Sequence, residues 1–510
     1  MNLHYVFRQL GLLFVVLSVV MLEGGIAGAV VWETGGWHLH HPFWSLLISS
    51  LAGLLIGGSL YVLLKPEDDA FGRREALLLV AASWLVGAAL AGLPFFVWAR
   101  LEGRPGHAFF QPINCYFEAM SGLTTTGATV LAQIHTLPRS LLLWRATTHW
   151  LGGLGIVVLF VAVLPSLGVG AKRLFRVEAP GPEPEGITPH IRETARVLWL
   201  IYLGLTVAQT VALRLAGMDW FDAVCHTFAT LATGGFSTTD HSIGGHDPLA
   251  VNLIVVAFMV VAGVNFGLYY QLLRRQWRPV WRDAELRAYL LILVASAAFI
   301  TVCIAHQPIV MTTGEVHPPS WGRAAREAAF TTVSIQTTTG FCTADFNLWP
   351  FAAKAVLVML MFVGACAGST GGGIKVIRIL IAFKVMAFEL ERAFRPHVVR
   401  PIKVGSVPIT PELRQGTIAF VLGHILLFGA GAGALLLLEP GGAIGMTTAA
   451  TASVACLCNI GPGLAKVGAV ENYGWLSGSS KAVLSILMAL GRLEVFAILV
   501  LLHPRFWRSR

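Results

Sequence analysis

A short polar run closed by glycine recurs four times in this chain, each time between apolar segments. That recurrence constrains the fold more than any other feature. The copies are Gly122-Leu123-Thr124-Thr125-Thr126-Gly127-Ala128, Leu231-Ala232-Thr233-Gly234-Gly235-Phe236, Thr337-Thr338-Thr339-Gly340-Phe341 and, most diverged, Cys458-Asn459-Ile460-Gly461-Pro462-Gly463. Aligned on glycine, they set Gly127, Gly234, Gly340 and Gly461 in register, at spacings of roughly 105 to 120 residues, too long a period for a solenoid. A threonine run is a poor helix former, and glycine admits backbone conformations that other residues avoid. Each run therefore offers a row of backbone carbonyls. With apolar flanks the runs sit at membrane depth, where non-helical backbone survives only buried in protein or lining a water-filled cavity. Carbonyl-rich loops in such a cavity can replace a cation's hydration shell. Four copies around one axis would make one pore from one chain.

Composition agrees with a membrane setting. The 510 residues are 55% hydrophobic and 12% charged, against about 25% charged in soluble domains. The net charge of +9 is spread between apolar segments, which points to membrane topology rather than to nucleic acid. The seven cysteines show no CxxC pair, and Cys456 and Cys458 are one residue apart, poor metal spacing, so they read as small buried residues.

Two apolar segments, 10–32 and 43–64, lead the chain as retained spans. The connector between them, Thr34 to Pro42, has no Lys or Arg, whereas the next holds Lys65, Arg73 and Arg74. The positive-inside rule then puts the N-terminus in the cytoplasm. Four units follow, each a span, a stretch too short to cross, a glycine-closed loop and a second span. The first is 75–99, 112–123, Thr124–Gly127 and 140–165. The second is 193–216, 219–230, Thr233–Phe236 and 249–272. The third is 286–306, 322–335, Thr337–Gly340 and a span from near Trp349. The fourth is 415–438, 443–456, Asn459–Gly463 and 480–502. As domains, the division is 1–70 for the leading pair, then 71–190, 191–284, 285–405 and 406–510. Most of the 36 Lys and Arg fall in connectors that follow every second span: Lys172 to Arg196 around the polar linker Pro180–Pro184, Arg274 to Arg287, and Lys375 to Arg414, with Arg505, Arg508 and Arg510 at the end. The fold class expected is an all-α polytopic membrane protein, two leading helices plus four pseudo-fourfold repeats around one pore, with both termini cytoplasmic.

The third unit breaks its own pattern. Residues 364–373 hold five glycines in ten positions, each costing about 1 kcal/mol relative to alanine in a helix. The spacing predicts an unwound segment under the filter. A glycine-rich helix at a close packing contact is the other reading. Gly368 to Lys375 resembles a phosphate loop, but that motif ends in Gly-Lys-[Ser/Thr]. Here Ile374 precedes Lys375 and Val376 follows. The last span carries Gly491-Arg492-Leu493-Glu494. A mid-membrane charge costs about 2.5–3.5 kcal/mol and faces an interior. Arg492 sits about eleven residues, roughly 17 Å, before the end of a continuous helix, far to snorkel. It is therefore read as projecting below the filter onto the 364–375 segment. Arg492 and Glu494, two apart on a helix, would point different ways.

Softer candidates are Glu118, Asp240, Asp345 and Glu471, at outer ends of the loops, where negative charge concentrates cations or caps helices. His149 reads as packed at a close helix contact. The His38, His40 and His41 cluster is a weak metal candidate. No metal cluster, carboxylate pair or nucleophile–base arrangement points to an enzyme.

These residues resemble a known family. The leading pair, the four units, the loops Leu123–Thr129, Thr233–Thr238, Thr337–Phe341 and Asn459–Leu464, the Gly368–Gly373 segment and Gly491-Arg492 are similar to the Trk-type potassium uptake proteins of the Trk/Ktr/HKT superfamily. The resemblance covers essentially the whole chain. It implies a K⁺ filter built on Thr125, Thr126, Gly127, Thr233, Gly234, Thr338, Thr339, Gly340, Asn459, Ile460 and Gly461. Their backbone carbonyls would bind K⁺, the transported ion, with no organic cofactor. Relatives with serine at the first filter glycine tend to favour Na⁺, and Gly127 is glycine. It implies a gate of Gly368, Ser369, Thr370, Gly371, Gly372 and Gly373 with Arg492 as its partner. It implies a homodimer in the lipid of the cell inner membrane, one pore per protomer, and a separate cytosolic nucleotide-binding ring of the TrkA kind. Cys458 before Asn459 is one departure from the family pattern. With Glu23 and Glu494 the only mid-membrane carboxylates, obligatory H⁺ coupling lacks support and channel-like flow is the expectation. The alternative is an alternating-access carrier coupled to Na⁺ or H⁺, since broken helices and internal repeats mark those too.

Overall fold

A computed structural model describes residues 1–28, 40–64, 72–153, 155, 191–246, 249–398, 400–405, 407–439, 442 and 444–508. The chain is a polytopic, mostly helical membrane protein. Six of its described helices are long and apolar enough to cross a membrane, or up to eight spans if each of two bent pairs counts as one. The leading helices α1 (Leu3–Ala27) and α2 (His40–Leu63) pack against each other and against α3 (Arg73–Glu102). Helix α1 starts at Leu3, well before the expected residue 10, because its first turns hold only one charge. That charge, Arg8, stacks over the Tyr61 ring at 4.6 Å, spending its cation on an aromatic face.

Each unit then pairs an incoming helix with a short second helix. The short ones are α4 (Pro112–Leu123), α7 (Trp220–Leu231), α12 (Trp321–Gln336) and α16 (Met446–Leu457). Their incoming partners are α3, α6 (Ile191–Leu215), α11 (Ala284–Ile304) and α15 (Pro411–Leu438). Local chemistry sets the starts. Pro112 opens α4, where its missing N–H costs nothing. Asp219 caps α7 by accepting from Phe221 N–H, and Thr410 caps α15 by accepting from Leu413 N–H, as side-chain oxygens do at helix N-termini.

The outgoing helices are where straight spans fail. Helix α5 (Arg139–Gly153) begins the first one, and the rest of expected span 140–165 lies outside the described residues, as does the linker Pro180–Pro184. The second is two helices, α8 (Leu249–Ala262) and α9 (Phe266–Leu273), bent by 95°. Asn265 restarts the helix, its side chain accepting from Gly267 N–H at 2.8 Å. A short helix, α10 (Trp277–Arg282), leads into the third unit. There α13 (Phe351–Phe362) and α14 (Val376–Phe394) flank a long non-helical segment. The fourth is α17 (Gly478–Arg492), bent by 112° from the helical turns at Phe496–Leu502. Glu494 and Val495 hold φ of 53° and 65° at that break, an outlier for a β-branched residue. The expected continuous spans 249–272 and 480–502 are therefore each two pieces. Strand content among the described residues is two small hairpins, Ile309–Val310 with Val316–His317 and Lys403–Val404 with Val407–Pro408. The second hairpin straddles the expected boundary between 405 and 406.

Candidate functional site

All four short helices end the same way. In the first, Thr126 N–H donates to Ser121 O at 2.8 Å and Thr125 N–H to Gly122 O at 3.1 Å. Gly234 and Thr233 repeat this onto Ala229 (2.8 Å) and Thr230 (3.0 Å), and Thr339 and Thr338 onto Ser334 (2.9 Å) and Ile335 (3.1 Å). Ile460 and Asn459 complete the set onto Ala455 (2.8 Å) and Cys456 (3.3 Å). This is the paired bonding of a Schellman motif, which needs a left-handed residue, usually Gly or Asn. Here the residue is Thr125 (φ 55°), Thr233 (53°), Thr338 (60°) or Asn459 (55°). Three β-branched residues at positive φ store strain. The loop N–H groups are thus consumed by their own helix. Among the described residues, no hydrogen bond is donated to the carbonyls of Thr125, Thr126, Thr233, Gly234, Thr338, Thr339, Asn459 or Ile460.

Glycine closes the loops into a ring. A Cβ on Gly127 would strike the carbonyl oxygen of Gly234; one on Gly235, that of Thr339; one on Gly340, that of Ile460; and one on Gly461, that of Thr126. Each loop thus abuts the next, and the fourth returns to the first. All four glycines have positive φ, from 79° to 93°, so a side chain there is excluded by conformation as well as by space. The ring corrects the register read from sequence. Gly235, not Gly234, matches Gly127, Gly340 and Gly461, because the left-handed Thr233 sits two residues before it as Thr125 does before Gly127. With two glycines in sequence, alignment on the first one slipped by a residue. A half-open cavity of about 100 Å³ is lined by the four ring glycines, with Asp240 and Glu471 in its wall.

Buried polar ties hold the loops in place. Glu118 is not a solvated loop carboxylate. Its side chain is fully buried, pairs with buried Arg145 at 2.8 Å, and accepts from Thr129 Oγ1 and Val130 N–H, both at 2.9 Å. A group placed on the inward face of α4 cannot reach the cavity mouth. Arg145 also donates to Ser237 O at 3.2 Å and lies over the Phe236 ring at 4.0 Å, joining the first and second loops. The other units use equivalent ties: Asp222 to Thr238 (2.7 Å), Glu327 to Thr343 (2.5 Å) and Thr451 to Leu464 N–H (2.9 Å). His149 is buried and bridges Gly122 O (2.7 Å) and Phe236 N–H (3.2 Å). Tyr473 donates to Gly461 O at 2.7 Å. Asp345 caps a helical turn through Asn347 N–H, and Asp240 accepts from Ile134 N–H and pairs with His135. His41 lies 3.1 Å from Glu102, whereas His38 lies outside the described residues.

Beneath the ring, the glycine-rich segment runs non-helically from Val363 to Lys375. Gly372 N–H donates to Thr338 Oγ1 at 2.7 Å, and a Cβ on Gly372 would strike Cys458 O. The segment therefore lies directly against the third and fourth loops. It is laced to the bend of the second unit through Cys366 N–H to Gly263 O (3.0 Å) and Phe266 N–H to Gly368 O (2.9 Å). Glu285 ties its middle to the first turn of α14, accepting from Ala367 N–H at 2.8 Å and Ile377 N–H at 3.0 Å. Sequence reasoning missed Glu285, since one carboxylate at a helix start reads as a macrodipole partner. Arg492 donates to Thr370 O at 2.8 Å, to Gly153 O at 2.7 Å and to Gly152 O. It reaches these as the last residue of α17, not from within a continuous helix, so no long snorkel arises. Glu494 pairs with Arg378 at 2.5 Å, across the break rather than along a helix.

Comparison with known proteins adds an independent line. The family model TrkH, described as a cation transport protein, matches residues 56–509. The chain is 38% identical over 513 residues to the Trk system potassium uptake protein TrkH of Halomonas elongata, covering 100% of both. It is 37% identical over 513 residues to the protein of that name from Escherichia coli strain K12, again covering 100% of both. The crystal structure of the potassium transporter TrkH from Vibrio parahaemolyticus superposes with a TM-score of 0.84 at 35% identity, covering 100% of each chain.

Proposed function

The chain belongs to the TrkH family of cation transport proteins, and from that premise we propose that it takes up potassium across the cell inner membrane through one K⁺-selective, channel-like pore per protomer. The observation that carries the reading is the ring of loop carbonyls without donors. Buried carbonyls are almost always paired, and a dehydrated cation on the axis is a partner that could satisfy several at once. The C-termini of α4, α7, α12 and α16 add partial negative charge toward the same place. The carbonyls of Thr125, Thr126, Thr233, Gly234, Thr338, Thr339, Asn459 and Ile460 line the filter, with Gly127, Gly235, Gly340 and Gly461 as its closely packed hinges.

Gly368 to Gly373 form the gate. The segment is non-helical, touches the underside of the filter and is pinned by Arg492, Glu285 and Thr338. Opening moves it away as these bonds are exchanged. The protein works as a homodimer with cytoplasmic termini, and a cytosolic TrkA-like nucleotide-binding ring acts on the gate from the basic face. The naming of relatives as parts of a Trk system supports a separate regulator. The bends of 95° and 112° in outgoing helices favour one second reading, alternating access by a coupled carrier.

Rubidium flux into proteoliposomes, with K⁺ and Na⁺ competition, tests both. A pore gives flux blocked by K⁺, and Gly127→Ser raises Na⁺ tolerance while flux persists. Flux that requires a Na⁺ or H⁺ gradient would establish the carrier instead.

A further inference from the structure

On the second unit, three ligating side chains meet: one carboxylate that also serves the loop tie to Thr238, and two histidines that the transport reading does not use. Asp222 and His226 lie in the first turns of α7, four residues apart and so on one helix face. His246 arrives from the loop leaving the second filter run, after the helical turn at Ser242–Gly245. One carboxylate oxygen of Asp222 and one ring nitrogen from each histidine lie within 4.8 Å of one another. Asp222 and His246 are partly exposed, leaving a way in.

The tautomer of His226 is set for ligation. Its Nδ1 lies 2.8 Å from the backbone carbonyl of Asp222. A carbonyl only accepts, so Nδ1 carries the proton and Nε2 bears the lone pair. A backbone carbonyl orienting one ring nitrogen is the outer-shell arrangement of metal-binding histidines. Nε2 now accepts from Ser237 Oγ at 3.0 Å, a weak partner that a metal can displace. The Asp222 carboxylate is oriented by Thr238 Oγ1 at 2.7 Å. The Nε2 of His246 is buried and has no hydrogen-bond partner among the described residues. An unpaired buried ring nitrogen is costly. The two rings stand edge to face, centroids 5.0 Å apart.

We propose that Asp222, His226 and His246 form a binding site for one divalent transition-metal ion of the zinc class. Two imidazoles and one carboxylate suit zinc, cobalt, nickel or copper, whereas magnesium and calcium prefer all-oxygen sets. Three protein ligands leave a coordination position open. The bound ion ties helix α7 to His246, at the far end of the segment that leaves ring glycine Gly235, in exchange for the Ser237 contact on His226, and so couples metal occupancy to the second filter loop. The ligands were invisible in the sequence because His246 lies twenty residues from His226 and joins it only through the turn after the loop.

The test is titration of the purified full-length protein in detergent with Zn²⁺ by calorimetry and with Co²⁺ by visible absorption, against His246→Gln and Asp222→Asn. Both variants sit at partly exposed positions, and their elution on gel filtration checks folding. The expected result is a one-equivalent class in wild type, weakened by at least about tenfold in each variant, with the visible Co²⁺ bands of wild type lost in His246→Gln. Wild type and folded variants that titrate alike, or wild type with no one-equivalent class, would overturn the site.

Discussion

Replacing Arg492 with alanine tests the gate most directly. Its guanidinium donates to the carbonyls of Gly152 and Gly153 at the end of α5. It also donates to Thr370 O at 2.8 Å, and this bond engages the glycine-rich segment. The two former contacts anchor the arginine, and the latter biases the gate. A hydrogen bond to a charged group contributes about 1.5–3 kcal/mol, and about 1.4 kcal/mol is tenfold in an equilibrium. Losing the Thr370 bond should therefore raise the open population, and basal rubidium flux, by about 10- to 150-fold. Glu285 and Thr338 still hold the segment, so the lower end is expected. Selectivity should not change, because no filter atom is touched. Arg492→Lys keeps the charge but lacks the fork that reaches two sides at once, and its flux should fall between wild type and alanine. Flux is read in proteoliposomes, normalised to inserted protein. A variant that elutes as wild type yet shows unchanged flux refutes the gate assignment. Flux that rises together with Na⁺ permeation places Arg492 in the filter's support instead.

Two further outcomes follow from the ring and its ties. In Gly235→Ala the new Cβ meets Thr339 O at a backbone φ of 79°, so K⁺-competable rubidium flux should fall at least about tenfold, the left-handed strain alone being about 1–2 kcal/mol; flux equal to wild type would show the ring tolerates a side chain there. Glu118→Gln leaves Arg145 buried without its carboxylate and should cost about 3–5 kcal/mol, seen as a lower thermal midpoint in detergent, with part of the loss recovered by adding Arg145→Met; an unchanged midpoint would mean that the pair contributes no net stability.

Much of the architecture could be read along the chain because the membrane makes it a matter of local composition. An apolar run either reaches across or does not, which is why Pro112–Leu123 could be set apart from Arg73–Glu102 without knowing any contact. Five glycines in ten residues cannot hold a helix, so the break after Phe362 was legible too. What the sequence could not reveal depends on neighbours distant in the chain. Gly235 rather than Gly234 takes the ring position because Thr339 O occupies the space beside it, and no pattern within Thr233-Gly234-Gly235-Phe236 states that. Glu118 looked like a surface carboxylate until Arg145 was folded against it, and Glu285 like a cap until the glycine-rich segment closed over it. The bend at Gly263–Asn265 lies in a run as apolar as any straight span, and at Leu493–Val495 the charges Arg492 and Glu494 mark the place without stating a bend. Hydropathy records only the preference for lipid, whereas a bend is decided by which carbonyls and cations of other units are there to satisfy the broken helix ends.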